Sequence, residues 1–314
     1  MPRYAGIDLG ATHLRAAVAD DDGTRIATER RRTPRGPAGR DVTEAVLGTL
    51  AAACEAAGID PTELRAVGIA SFGPLDLARG AIVDPANLPD SVDAVALRDP
   101  VANLAGTERV YLHNDAIAGV IGERFYADAP GDAVYLTISS GIGAGVAVDG
   151  NVLSGRGGNA GEVGHTIVDP DGRMTCGCGG EGHWEAYCGG ESIPEYARAF
   201  HANGAVETTL SLSDVEAPDV FAAAARGDPL AERVISRLAR WNAIGAANLV
   251  HAFAPSLIAV GGAVALENEE AVIDPIRERV PDLTVIDAPE IRPTELGEDV
   301  VLSGAIASAL TGGT

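Results

Sequence analysis

At 314 residues and 46% apolar, the chain is long enough for two ordinary globular domains, each with its own core. Its net charge of −22, with 23 arginines and not one lysine, argues against nucleic acid or an anionic membrane as partner, since both would be repelled. A lysine-free acidic coat of this kind suits solution in molar salt, where screening shortens the repulsion to a few ångströms, and we expect a halophilic protein.

The four cysteines are clustered three to one, which is not a secreted disulfide framework. No run of eighteen apolar residues occurs, and MPRYAGIDLG leads straight into a strand without resembling a signal peptide. The expected location is the cytoplasm.

Residues 3–10, RYAGIDLG, form a short apolar run ending in Asp8 and Gly10. Alternation over Leu14 to Val18, a DDDG turn at Asp20 to Gly23 and resumption at Arg25 predict a hairpin. The link carrying Gly10, Ala11 and Thr12 has backbone N–H groups able to cradle a phosphate, with Asp8 facing a metal. The same D-x-G-x-T turn also serves as a plain strand connection.

Residues 41–57 have helical apolar spacing and stop at Gly58, with Cys54 read as core. Ala66 to Ala70 read as a buried strand running into a loop with Gly73 and Pro74. Asn87 then lies between Pro85 and Pro89, where it suits either a polyhydroxylated ligand or a turn cap. A helix near 96–105 precedes a strand over Val110 to His113. Asn114 and Asp115 follow at a helix entry, a place for an N-cap and also for chemistry at the carboxyl end of a parallel strand.

The segment DAVYLTISSGIGAGVAVDGNVL repeats the logic of the N-terminus: a strand to Ile138, a turn over Ser139, Ser140, Gly141, Ile142 and Gly143, a second strand, and an Asp149-Gly150 hairpin. Two such units roughly 130 residues apart suggest a duplicated domain with one phosphate loop per half.

Residues 157–188 concentrate the reactive side chains. Cys176 and Cys178 are one residue apart, His183 follows five later and His165 lies eleven before Cys176. Two thiolates and two imidazoles make a tetrahedral zinc set, and a glycine-rich loop can wrap an ion while offering little apolar cover for a thiol. The bland alternative is cysteines buried as small hydrophobes, and Cys188 is a rival to His183 as fourth ligand.

Helices near 191–203, 217–227 and 229–253 come next, then a strand SLIAVGG whose Gly261 and Gly262 permit close approach of a flat or phosphorylated ligand or simply make a turn. A strand at roughly 299–302 and a helix over SGAIASAL close the pattern.

Taken in order, GIDLGAT, ASFGPLD, PANLP, HNDAIAGVIGE, ISSGIGAGV, AGEVGH, CGCGGEGHWEAY and AVGG resemble the ROK family of sugar kinases and repressors, within the actin-like/hexokinase-like ATPase superfamily. The resemblance implies an α/β fold of two actin-like, ribonuclease H-like domains flanking a cleft, with a zinc-binding loop. It divides the chain into residues 1–115 plus a C-terminal helix 303–314, and 116–302 with a zinc loop at 165–188, the sugar site and an oligomer interface.

It implies ATP-dependent 6-phosphorylation of an aldohexose, glucose first, with Asp115 as general base. Asn87, Asn114, Asp115, Glu162, His165 and Glu185 would bind the sugar. Asp8 would position Mg2+, while Gly10, Thr12, Ser140, Gly141 and Gly143 hold ATP phosphates and Gly261 and Gly262 border the adenosine. His165, Cys176, Cys178 and His183 would hold a structural Zn2+.

Three positions depart from the family pattern: His183 replaces a usual third cysteine, His13 a common Lys or Arg, and Ser140 a usual Thr. The alternatives are an N-acetylhexosamine or fructose kinase, or a sugar-responsive regulator, although a first strand beginning by Tyr4 is expected to leave no room for a DNA-binding segment. Family members are commonly homodimers or homotetramers.

Overall fold

The computed structural model describes every residue except Ala86, Asn87, Asp90 and Ala205. Asn87, expected at the sugar, therefore lies outside the described residues. The chain divides into two compact units: residues 1–131, 145–160 and 299–314 form the first, and residues 132–144 and 161–298 the second.

The first unit opens with β1 (Arg3–Leu9), β2 (His13–Ala19) and β3 (Arg25–Arg32), an antiparallel meander whose second turn is the expected DDDG. Helix α1 (Gly39–Ala56) follows; Val42, Val46, Leu50 and Ala53 recur at helical spacing and are all buried. Its first-turn Asp41 accepts from the Ala38 N–H at 3.1 Å, and Gly58, with φ of +71°, terminates it. Strand β4 (Leu64–Ser71) pairs parallel with β1, a crossover that requires α1 between them.

A small antiparallel sheet of β5 (Leu75–Asp76), β6 (Ala81–Val83) and β7 (Ala94–Ala96) precedes α2 (Arg98–Ala105). Strand β8 (Val110–Asn114) completes the main sheet in the order β3-β2-β1-β4-β8, and α3 (Asp115–Tyr126) follows without a break. The unit continues beyond residue 115 because α3 packs against the last helix of the chain.

Strand β9 (Ala133–Ile138) begins the second unit, and β10 (Ile142–Val148) returns to the first, where Val148 pairs with Asn151 of β11 (Asn151–Val152). The second unit then holds α4 (Glu185–Cys188), α5 (Ile193–Gly204), α6 (Ala217–Ala225) and the long α7 (Pro229–Phe253), started by Pro229 and capped by Asp228. Strand β12 (Leu257–Gly261) pairs in parallel with β9 and with β13 (Glu290–Pro293); α8 (Ala263–Leu266) and α9 (Glu269–Leu283) lie between the two in sequence.

The strand expected at 299–302 is absent. Val300, Val301 and Leu302 are the first turn of α10 (Val300–Thr311). The β-branched Val300 and Val301 suggest a strand, but in the helix Leu302 and Ile306 stack one turn apart and are both fully buried against Ala17 and Ala19. The last strand is β13, ending at Pro293 on an edge, where a missing N–H is harmless.

Two sheet residues let α10 sit this close. Gly6 and Gly68 are partners across β1 and β4. A Cβ on Gly6 would lie 2.6 Å from Ile306 Cγ1 and 2.7 Å from its backbone N, and one on Gly68 would overlap the Ala305 carbonyl. Gly68→Ala is expected to destabilise the first unit by about 3 kcal/mol, the upper range for overpacking a close-packed core. Chemical denaturation measures it, and a loss below ~0.5 kcal/mol would contradict the packing.

Candidate functional site

The parallel strands of the first unit deliver their chemistry to one edge. Asp8 lies next to Ala70 in register, Leu9 next to Ser71, and Ser71 next to Asn114, so Asp8, Asn114 and Asp115 gather at the carboxyl ends of β1, β4 and β8. Asn114 caps α3, its Oδ1 accepting from the Ala116 N–H at 2.9 Å. Asp115 Oδ1 accepts from the same N–H at 2.7 Å, which orients a half-buried carboxylate on the first helical turn.

Asp8 is held by Arg15, whose Nε and Nη2 donate to Oδ2 at 3.0 and 2.7 Å. Arg15 Nη1 continues to Asp299 Oδ1 at 2.8 Å, and Arg25 Nη2 pairs with the other Asp299 oxygen at 2.7 Å. Burial raises the Asp8 pKa above its ordinary value, with the Arg15 charge and hydrogen bonds opposing it. Both of these Arg15 donors use Oδ2.

The first glycine turn is partly self-satisfied. Gly10 N–H donates to the His13 carbonyl at 2.9 Å, and Thr33 Oγ1 donates to the Gly10 carbonyl at 2.7 Å. The expected cradle therefore loses one donor, because the Gly10 N–H serves the turn; Thr12 is exposed beside it.

One residue before Asn114, His113 is buried with Nε2 at 2.8 Å from Ser308 Oγ. Burial lowers its pKa to about 4. An unfolded chain protonates this imidazole near pH 6.5 and the native one does not, so its contribution is present above that pH and is lost as pH falls toward 4. The window corresponds to roughly 3 kcal/mol. Urea unfolding at pH 7.0 and 4.5 should show a smaller pH-dependent loss in His113→Gln than in the unmodified chain; equal losses would refute it.

In the second unit the glycine-rich loop folds back on itself through isolated bridges pairing Ile167 with His183 and Thr175 with Glu181. This gathers His165, Cys176, Cys178 and His183 so that one ligand atom from each lies within 4.8 Å of the others. Cys176 Sγ is 3.7 Å from His165 Nδ1, and Cys178 Sγ is 3.3 Å from His183 Nδ1. A zinc tetrahedron of these donors has edges of about 3.3–3.8 Å, so the set closes on an ion with shifts of about 1 Å. The residues fit the metal in number, type and spacing.

Burial pushes the Cys176 thiol up to about 11 in the metal-free chain, so a metal would have to displace that proton. Cys188 sits elsewhere, wholly buried with its thiol directed to the Leu238 carbonyl at 3.7 Å.

His165 turns its other nitrogen, Nε2, toward Glu162 Oε2 at 3.8 Å. Burial raises the Glu162 pKa, with His165 opposing and Glu185 adding to the shift. Glu185 Oε1 lies 3.8 Å from Cys176 Sγ, so two acids and an imidazole converge on the donor cluster.

The base of the loop is a pair that sequence reading missed. Tyr187 OH donates to Asp169 Oδ2 at 2.6 Å and accepts from the Met174 N–H at 3.1 Å. Asp169 also takes the Arg173 guanidinium at 2.9 Å. Burial works against the charge of Asp169, but Tyr187 and the backbone N–H groups of Arg173 and Asp171 hold its pKa below the usual value. The DPDG turn at 169–172 was the available signal. Trp184 Nε1 donates to Asn242 Oδ1 at 2.8 Å, fixing the start of α4 to α7.

In the second glycine turn, Ser139 N–H donates to the Gly141 carbonyl at 2.9 Å, while Gly190 and Glu191 N–H donate to Ser139 and Ser140 carbonyls at 2.7 and 3.1 Å. Gly143 lies in the second position of β10. Gly261 is the last residue of β12 and Gly262 follows it; a Cβ on Gly261 would strike the Tyr135 ring. Close packing alone accounts for that glycine.

A model of the ROK family matches residues 4–311. The chain belongs to the ROK family. A glucokinase of Aeropyrum pernix is 39% identical over 89% of this ROK chain and 87% of its own length. The crystal structure of a ROK hexokinase from Thermus thermophilus superposes with a TM-score of 0.82 at 34% identity, covering 98% of both chains. A ROK family glucokinase from Streptomyces griseus, solved with glucose and AMPPNP, gives 0.78 at 32% identity over 98% of this chain and 99% of that one. An N-acetylmannosamine kinase of Yersinia pestis is 30% identical over 85% of this chain and 84% of its own. The ROK chain thus has the two-domain, actin-like α/β fold of these proteins. Among the described residues no helix is long and apolar enough to cross a membrane.

Proposed function

We propose that this chain is an ATP-dependent hexokinase that phosphorylates glucose on its 6-hydroxyl. The observation that carries the reading is the convergence of Glu162, His165 and Glu185 on one Cys/His cluster, in a chain similar over most of its length to glucokinases. Carboxylates and imidazole accept from several hydroxyl groups at once, as recognition of a hexose requires.

Asp115 is the general base. It accepts the proton of the attacking hydroxyl while Asn114 contributes a further contact to the sugar. The glycine turns at Gly10–Thr12 and Ser140–Gly143 face the ATP phosphates, and Gly261 and Gly262 border the adenosine. Phosphoryl transfer leaves the protein mainly positioning and charge stabilisation to supply. Magnesium held near Asp8 would neutralise charge developing on the phosphates. Zinc on His165, Cys176, Cys178 and His183 would be structural, fixing the acids that grip the sugar. An N-acetylhexosamine kinase is the second reading, favoured by the similarity to the Yersinia pestis enzyme.

Sugar-dependent ADP release over a panel of glucose, mannose, fructose, N-acetylglucosamine and N-acetylmannosamine, in molar salt, tests the function. Glucose is expected to give the highest kcat/KM. Release that no sugar stimulates would end the kinase reading, and a preference for an acetylated sugar would move it to the second. The same assay at low salt tests the halophilic habit, with activity falling as salt is withdrawn. The acidic surface leaves the chain without nucleic-acid or membrane partners in this reading, and we expect a cytoplasmic homodimer or homotetramer.

A further inference from the structure

Glu185 has a tie that binding a sugar does not explain. Its Oε2 accepts the backbone N–H of Ile142 at 2.7 Å, and Ile142 is the residue between Gly141 and Gly143 in the second glycine turn. The carboxylate lies in a slot walled by glycines. A Cβ on Gly141 would sit 2.5 Å from Oε2, one on Gly164 3.2 Å from the same oxygen, and one on Gly189 2.9 Å from Glu185 Cγ. The backbone reinforces the tie, since Gly189 and Gly190 follow α4 directly and Gly190 N–H bonds to Ser139 within the turn. Glu185 itself cannot drift, because Trp184 is hydrogen-bonded to Asn242 and Tyr187 to Asp169 on either side of it.

We propose that Glu185 is a positioning residue for the nucleotide as well as a ligand for the sugar: it holds the turn Ser139–Gly143 in the shape that receives phosphate. A hydrogen bond from a backbone N–H to a carboxylate is among the stronger ones, and in this slot it fixes the direction in which the neighbouring N–H groups point. Gly141 is thereby required by the Glu185 side chain, independently of any bound phosphate. The nucleotide part of this inference rests on the kinase reading; the tie between Glu185 and the turn does not.

The test separates the two. Affinity for AMPPNP is measured by calorimetry without sugar, and amide hydrogen exchange is followed across residues 139–143, in the unmodified chain, Glu185→Ala, Glu185→Gln and Gly141→Ala. Glu185→Ala is expected to weaken AMPPNP binding about tenfold and to speed exchange at Ile142. Glu185→Gln keeps an oxygen acceptor and should stay within about threefold of the unmodified affinity, although its sugar KM rises.

Gly141→Ala displaces the carboxylate without removing it and should speed exchange at Ile142, which keeps the tie decidable if Glu185→Ala fails to fold. Unchanged AMPPNP affinity and unchanged exchange at Ile142 in the folded variants would overturn the proposal. If the unmodified chain has no affinity for AMPPNP, the kinase reading falls and the nucleotide role of Glu185 falls with it, while exchange at Ile142 still decides the tie.

Discussion

Replacing Asp115 with Asn is expected to lower kcat for hexose phosphorylation by about 10²- to 10⁴-fold, the usual worth of a positioned general base. The substitution isolates that role because Asn retains the oxygen that accepts the Ala116 N–H, and Asn114 still caps the helix. The first turn of α3 should keep its shape. Sugar affinity, measured by calorimetry or intrinsic fluorescence, should therefore change less than about threefold. Near-normal turnover in a folded Asp115→Asn protein would refute the assignment, and a parallel collapse of sugar binding would show the residue to be a ligand instead.

Chelating the zinc proposed for the His165, Cys176, Cys178 and His183 cluster is expected to give the second large effect. The loop at 165–183 has few apolar side chains of its own to hold it, and its bridges at 167/183 and 175/181 are isolated pairs. At a zinc concentration 1,000-fold above the dissociation constant, binding contributes about 4 kcal/mol to the native state. For a unit of this size that corresponds to a Tm lower by roughly 10 °C after chelation. Glu162, His165 and Glu185 lose their common frame at the same time, so hexose affinity should fall at least about tenfold. Metal content by mass spectrometry, thermal scans and sugar titration before and after chelation provide the check. A verified zinc-free protein with unchanged Tm and unchanged affinity would remove the metal from this account.

The parts of the fold that were legible in the sequence were those with a strong local signal. The β1–β3 meander has an alternating pattern and a DDDG turn, and α1 has four buried residues at helical spacing before a left-handed glycine. The sheet of β5, β6 and β7 was not legible, because strands of two or three residues are too short to show a period. The first turn of α10 misled because the β-branched Val300 and Val301 favour strands intrinsically, and packing of Leu302 and Ile306 on Ala17 and Ala19 overrides that preference.

The site divides the same way. Cys176 and Cys178 in a glycine loop announce themselves by composition. The link between Tyr187 and Asp169, and that between Glu185 and the Ile142 N–H, do not. One joins side chains eighteen residues apart, and the other uses a backbone group that no residue type marks.

The order in which the chain is made has a consequence for the first unit. Its sheet is complete once β8 has emerged, but the helix that covers Ala17, Ala19 and Ala70 comes from residues 300–311, after the whole second unit has been synthesised. At ordinary translation rates that interval is roughly 10–30 s. Throughout it the part of the sheet that carries Ala17 and Ala19 lacks the helix that covers it in the finished fold, which gives α10 the part of a late-arriving keystone.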